Sequence, residues 1–371
     1  MVSPSFKAPK WPWERKLVEE RDRSQKDLLY RYVKDPQYFT GMLPLAQSTG
    51  WFLPGYGSAR ADCGSTFYMG CNNVGKHPGG QIFGRLFVHR CMRKACPECF
   101  ESWGSREGEK GLVRIASSVL GLDVTYRMIE EAKKQSRGHS ASTYHKLVVY
   151  LLEGRLKKHR EMRVVHWVLS PPQDVEFTKD KYPQLRRESY KVAKKSGIKG
   201  GAVIFHPYRL KCVNCGSAIP DYSHFCSQCG CPAFVWERGP HFHVIGVGWL
   251  ENVPDVYEET GWVVRGLGVR DSVFWSFQYL LSHAGVFVDP DSHKYLEKKF
   301  HVVTWFGDLS YNKLSVPKAD LLGTTCPYCG EFLRFMVFEG GLDRPPPVFN
   351  SEDEGLNEFL DSGDRWRFLN G

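Results

Sequence analysis

The stretch Gly239-Pro240-His241-Phe242-His243-Val244-Ile245-Gly246-Val247 decides how the chain is read. Its alternation is that of a strand with one face in a core. Alternate side chains of a strand share a face, so His241 and His243 point one way while Phe242 and Val244 point the other. The two imidazoles then start about 7 Å apart along the backbone, within reach of a single divalent ion. Taken alone the pair is more often two hydrogen-bonded strand histidines, so its neighbours have to decide.

Working outward, Val164–Leu169 is β-branched and apolar, and it stops at Ser170-Pro171-Pro172, which cannot continue a strand interior. A charged helix is expected over Pro183–Lys195, with further strands over Gly200–His206, His241–Trp249 and His301–Phe306. The segment Asp271–Ala284 has a helix start at Asp271 or Ser272, a stop at Gly285, and an apolar stripe of Val273, Phe277, Leu280, Leu281 and Ala284. Tyr279 and His283 stand four residues apart, one above the other on a flank of that helix. From Met162 on, strands and helices interleave, which reads as α+β or α/β, and α+β is the fold expected.

The twelve cysteines are the second sharp feature. Cys212-Val-Asn-Cys215-Gly216 and Cys226-Ser-Gln-Cys229-Gly230 form a pair of CxxCG knuckles, and four thiols at that spacing read as a structural zinc ribbon. Such a module has almost no core, so the metal must hold it folded; Cys231 is left over. Cys91, Cys96 and Cys99 supply three ligands of a second zinc set. Its fourth could be Cys71, Cys63, His77 or His89, and Cys71 is the one taken forward. Cys326-Pro-Tyr-Cys329-Gly330 is half a ribbon that must borrow partners or stay without metal. The first residues, Met1–Trp13, show no apolar signal core, so a reducing, cytoplasmic setting is expected, which favours zinc over disulfides.

A histidine–hydrophobic–histidine strand followed by a helical tyrosine resembles the HUH endonucleases, a group of rolling-circle replication initiators, relaxases and single-strand transposases. The resemblance spans about Met162 to Leu314. It implies an antiparallel sheet with flanking helices, His241 and His243 as ligands of a catalytic Mg2+ or Mn2+, Tyr279 as nucleophile, and His283, four positions on, as third ligand. Val164-Val-His-Trp-Val-Leu-Ser170 resembles the family's first motif. Tyr279-Leu-Leu-Ser-His283-Ala-Gly285 and Trp305-Phe-Gly-Asp-Leu-Ser-Tyr311 are most similar to initiators of archaeal plasmids and viruses. Many initiators carry lysine three residues after the tyrosine. Here that position is Ser282, whereas Tyr295-Leu-Glu-Lys298 has the spacing, so Tyr295 is a rival nucleophile and Tyr311 a more distant one.

The activity implied is nicking and rejoining of single-stranded DNA at a replication origin through a 5′-phosphotyrosine, with host replication proteins as further partners. The alternatives are a transposase or relaxase of the same chemistry, and a zinc-ribbon nucleic-acid-binding protein without catalysis. No P-loop motif is present to drive an attached helicase. The expected organisation is a Cys-rich and helical region over 1–160, an endonuclease domain over 161–320 with the ribbon inserted at 209–233, and a knuckle with an acidic tail over 321–371. The N-terminal region includes a charged helix expected over Trp13–Lys34. At 371 residues, 42% hydrophobic and 25% charged, the chain buries real cores, which excludes wholesale disorder. No apolar run is long enough to cross a bilayer. A net charge of +9 suits a polyanionic partner without requiring one.

Overall fold

The computed structural model describes residues 42–56, 59–136, 141–159, 162–219, 225–287, 300–316, 325–326, 328–338, 357–360 and 366–368. The helix expected over Trp13–Lys34 lies outside them. In chain order the described elements begin with helix α1 (Met42–Thr49) and strands β1 (Trp51–Phe52), β2 (Thr66–Cys71) and β3 (Ile82–Val88). Helices α2 (Phe100–Leu120), α3 (Leu122–Gln135) and α4 (Ala141–Lys158) follow. Then come strand β4 (Val165–Ser170), helix α5 (Tyr182–Lys195), strands β5 (Ile198–Cys212) and β6 (Phe234–Gly248), helix α6 (Val253–Thr260), strand β7 (Val263–Val269) and helix α7 (Val273–Ser282). Strands β8 (Val286–Phe287), β9 (Val303–Gly307), β10 (Arg334–Phe338), β11 (Asn357–Leu360) and β12 (Trp366–Phe368) complete the chain.

These elements form two compact units. The first comprises Met1–Leu53 and His159–Leu314, the second Pro54–Lys158 and Ser315–Gly371. Each is α+β with antiparallel sheets. Among the described residues no helix is long and apolar enough to cross a membrane.

In the first unit a five-stranded sheet has the order β7-β4-β6-β5-β9, every pair antiparallel, with the histidine strand β6 at its centre. One face is apolar: Trp167, Leu169, Val203, Phe205, Phe242, Val244 and Phe306 pack with Tyr182, Leu185 and Val192 of α5 and Val256 of α6. Phe242 is fully buried, which is worth about 2 kcal/mol for a side chain of its size. Trp51, on the short β1–β8 ribbon, closes the end of this core, its ring 4.9 Å from Phe205 and 5.1 Å from Tyr182. The opposite face carries the histidines. There α7 lies against the sheet, with Phe277 6.0 Å from Trp305 of β9. Its N-terminus is closed by Ser272, whose hydroxyl accepts from Trp275 N at 3.2 Å.

Strands β5 and β6 run 15 residues each, well past the expected 200–206 and 241–249, and the ribbon is the loop of their hairpin. Pro207 and Pro240 read as stops in the sequence. Both fall where the register slips between His206↔His241 and Tyr208↔Arg238, and a bulge is where a strand tolerates proline. Strand β7 escaped the sequence reading because Gly266 and Gly268 interrupt its pattern and it is exposed along an edge.

The strands approach closely at Gly200, Gly201 and Gly246. A Cβ on Gly246 would run into the Gly200 carbonyl oxygen and meet the Gly201 Cα at 2.6 Å, both backbone atoms of the neighbouring strand. Gly246→Ala is expected to destabilise the first unit by about 3 kcal/mol, read as a lower denaturation midpoint with an unchanged slope.

In the second unit the sheet order is β11-β3-β2-β10-β12, and α2, α3 and α4 pack on one another. The C-terminal strands are therefore part of the sheet begun by β2 and β3, where the sequence suggested a separate piece over 321–371.

Candidate metal and active site

Three neighbouring strands each bring histidine to one face of the first sheet. His241 and His243 come from β6, His206 lies directly opposite His241 on β5, and His166 comes from β4. One ligand atom each from His206, His241 and His243 falls within 4.8 Å of the others. The second nitrogen of each ring is already engaged. His241 Nδ1 donates to the Gly239 carbonyl at 2.8 Å, and His206 Nε2 donates to the Leu280 carbonyl at 2.8 Å. A carbonyl can only accept, so each ring keeps a lone pair on the other nitrogen, as metal-binding histidines do. His243 Nδ1 is 2.7 Å from His166 Nε2. For His243 Nε2 to coordinate, Nδ1 must be the donor in that pair and His166 the acceptor.

Burial keeps these rings neutral, the form a metal ligand requires. It pushes His241 down to about 3, with Arg209 adding repulsion, and His166 down to about 3, with Arg270 adding. His206 and His243 lie well below the ordinary range, again chiefly through burial and then through their neighbouring imidazoles. Arg209 reaches this face over Gly239, where a Cβ would meet its Cγ at 2.8 Å, and its Nη2 donates to Ser170 Oγ at 2.8 Å.

The third imidazole of the close set is His206, where the resemblance implies His283. His283 ends α7 as its C-cap residue, and its Nδ1 turns back to the Tyr279 carbonyl at 3.1 Å. Its ring is 6.1 Å from that of His206 and outside the close set. Tyr279 is half-buried, its ring 5.3 Å from His283. Tyr295 lies outside the described residues. Tyr311 is 66% exposed in the turn after β9.

The cysteines gather in three sets. Cys212, Cys215, Cys226 and Cys229 converge at the hairpin tip, with sulfur separations of 3.5 Å for Cys212–Cys229 and 3.4 Å for Cys215–Cys226. Cys231 stays outside the set. The second set is Cys63, Cys91, Cys96 and Cys99. Cys63 Sγ stands 3.7 Å from Cys99 and 3.9 Å from Cys96, so Cys63 and not Cys71 completes the three ligands read from the sequence. Cys71 is the last residue of β2, and it turns instead toward His77, Cys326 and Cys329. His89 is engaged with Asp62 at 2.7 Å. Burial works against ionising Cys91, yet hydrogen bonds from Arg93 bring it down to about 6, toward the thiolate that binds metal. All three sets are compatible with structural zinc. Cys226→Ser is expected to remove about one zinc equivalent and unfold the hairpin tip while leaving the main sheet intact. Metal analysis with hydrogen exchange over 209–233 reads both effects.

Comparison with protein-family models, with curated proteins and with solved structures finds no match for this chain.

Proposed function

We propose that the chain is a metal-dependent endonuclease and strand transferase of the HUH type. It would act on single-stranded DNA as the initiator of rolling-circle replication. The observation that carries this reading is the bond from His206 to the Leu280 carbonyl. It locks one turn of α7, with Tyr279 the next residue back, onto the strand that completes the imidazole set.

The three imidazoles fit a divalent transition ion: neutral, close together, and oriented by partners on their second nitrogens. Nitrogen donors favour Mn2+ over Mg2+, which prefers oxygen. When bound, such an ion would draw charge from the oxygens of a phosphodiester and orient the scissile bond. The chain's own residues supply the rest. Arg209, steadied by Ser170 beside His241, adds a fixed positive charge, which suits an anionic substrate. Tyr279 attacks phosphorus as its phenolate. A bond from its oxygen to phosphorus forms while the bond to the 3′-oxygen breaks, and the departing oxygen takes up a proton as the 3′-OH. The phosphotyrosine conserves the bond, so the reverse step reseals a strand. The ribbon, at the far end of the same hairpin, has no part in this chemistry.

The test uses 3′-labelled single-stranded oligonucleotides with Mn2+, because the 5′-phosphate of the downstream fragment stays on the protein. A labelled species that survives boiling in detergent, mapped to Tyr279 by mass spectrometry, supports the reading. Cleavage without an adduct would point to direct hydrolysis at the imidazole set. Binding with neither cleavage nor adduct would leave a zinc-containing nucleic-acid-binding protein.

A further inference from the structure

Cys326 and His77 are 249 residues apart in the chain, yet Cys326 Sγ lies 3.3 Å from His77 Nε2. Cys71 Sγ is 3.5 Å from Cys329 Sγ, and the four ligand atoms fall within 4.8 Å of one another. His77 Nδ1 donates to the Gln81 carbonyl at 2.9 Å, which leaves the Nε2 lone pair turned toward the thiols.

The backbone at Cys326 repeats that of the ribbon. Gly330 N donates to the Cys326 carbonyl at 2.9 Å, as Gly216 does to Cys212 at 2.9 Å and Gly230 to Cys226 at 2.8 Å. The three glycines share a left-handed φ, +76, +71 and +70. Cys326 N donates to the Glu331 carbonyl, five residues on, as Cys212 N does to Ser217 and Cys226 N to Cys231. The half-ribbon read in the sequence thus has the backbone of a ribbon knuckle, and the side chains it meets come from the strand β2 and the turn after it.

A second observation is a charge. Arg85 on β3 is only 3% exposed and stands opposite Met69, two residues before Cys71 on β2, with Cys326 and Tyr328 among its electrostatic partners. A zinc ion with three thiolates and one neutral imidazole carries one net negative charge. A buried guanidinium on the neighbouring strand offsets that charge.

We propose that Cys71, His77, Cys326 and Cys329 hold a structural zinc that staples β10 to the β2–β3 hairpin, with Arg85 balancing the charge of the complex. The site is closed, with four protein ligands and none left for substrate. It sits where strand pairing alone is short, for β10 meets β2 over only three residue pairs, Arg334↔Gly70 to Met336↔Tyr68. The apolar cluster beneath it is small, built on Phe83 and Leu333 with the cysteines themselves. Because the first unit's residues 159–314 lie between the two ligand pairs in the chain, the metal joins the two parts of the discontinuous second unit. Binding releases the thiol protons as the thiolates form.

The test counts zinc in the full-length protein and follows hydrogen exchange. Cys326→Ser and Cys329→Ser should each lose about one zinc equivalent. Exchange should rise over 66–71 and 334–338, while the ribbon at 209–233 keeps its protection. Arg85→Gln, which leaves all four ligands, should release this zinc to a chelator about tenfold faster, and Arg85→Lys should restore much of the retention. An unchanged zinc count in both serine variants would overturn the site. Zinc lost with no change in exchange at β2 and β10 would overturn the staple. Release from Arg85→Gln at the wild-type rate would overturn the counter-charge. Should the serine variants fail to fold, graded chelation of the wild-type protein gives the same readout. Loosening of 66–71 and 334–338 together with loss of one equivalent supports the proposal, and loss of that equivalent without it does not.

Discussion

Tyr279→Phe is expected to eliminate the covalent protein–DNA adduct and to lower nicking by at least about a thousandfold, while single-strand binding stays near the wild-type level. Removing a nucleophile removes the step itself, and losses of that order or larger follow. Stability should change by less than about 1 kcal/mol, because the substitution deletes one oxygen at a half-buried position and keeps the ring. The ring packs edge-on against His283 at 5.3 Å, and phenylalanine preserves that contact. Tyr295→Phe should leave adduct and nicking intact. Adduct that persists in Tyr279→Phe and vanishes in Tyr295→Phe would move the chemistry to the Tyr-x-x-Lys segment. Gel analysis of a labelled oligonucleotide under denaturing conditions separates these cases, and a filter-binding measurement on the same variants confirms that the DNA still binds.

Much of the fold was legible because its signals are local. The alternation through Phe242 and Val244 marks a half-apolar strand, the Ser272 start and Gly285 stop bound α7, and the CxxCG spacing writes a knuckle directly into the sequence. Long-range pairing is harder to see. His206 was visible as the end of a strand but not as a partner of His241, because that depends on register. A signal did exist. The knuckle residue Cys212 pairs with Phe234, and stepping six residues back from Cys212 and seven forward from Phe234 reaches His206 and His241, the odd step being the bulge at the prolines. The same limit explains Cys71. Sequence distance set it with Cys91, but its strand pairs with β10 and carries it toward Cys326 and Cys329. A count of cysteines cannot show such a choice.

The histidine assignments can be separated by one comparison. His206→Ala is expected to weaken Mn2+ binding by at least about a hundredfold and to abolish cleavage at metal levels that saturate the wild type, since it removes one of three ligands. His283→Ala should leave the ion bound, because the His283 ring ends 6.1 Å from His206 and its Nδ1 is turned into its own helix. The alanine at 206 also strands the Leu280 carbonyl, at a cost of about 1–3 kcal/mol, so a loss of activity alone could reflect a displaced α7. His206→Gln removes that ambiguity: its amide can still donate to the carbonyl, while its oxygen is a weaker ligand for a transition ion than imidazole. It should therefore hold α7 in place and still bind Mn2+ poorly. His166→Phe provides the graded case, for it takes away only the acceptor that orients His243, and the expected loss of affinity is about 10- to 100-fold. Titration of Mn2+ followed by electron paramagnetic resonance reads all four variants. If His206→Gln binds the ion as the wild type does while His283→Ala does not, the third ligand is the one on the helix, and the register of β5 on β6 has no bearing on the metal.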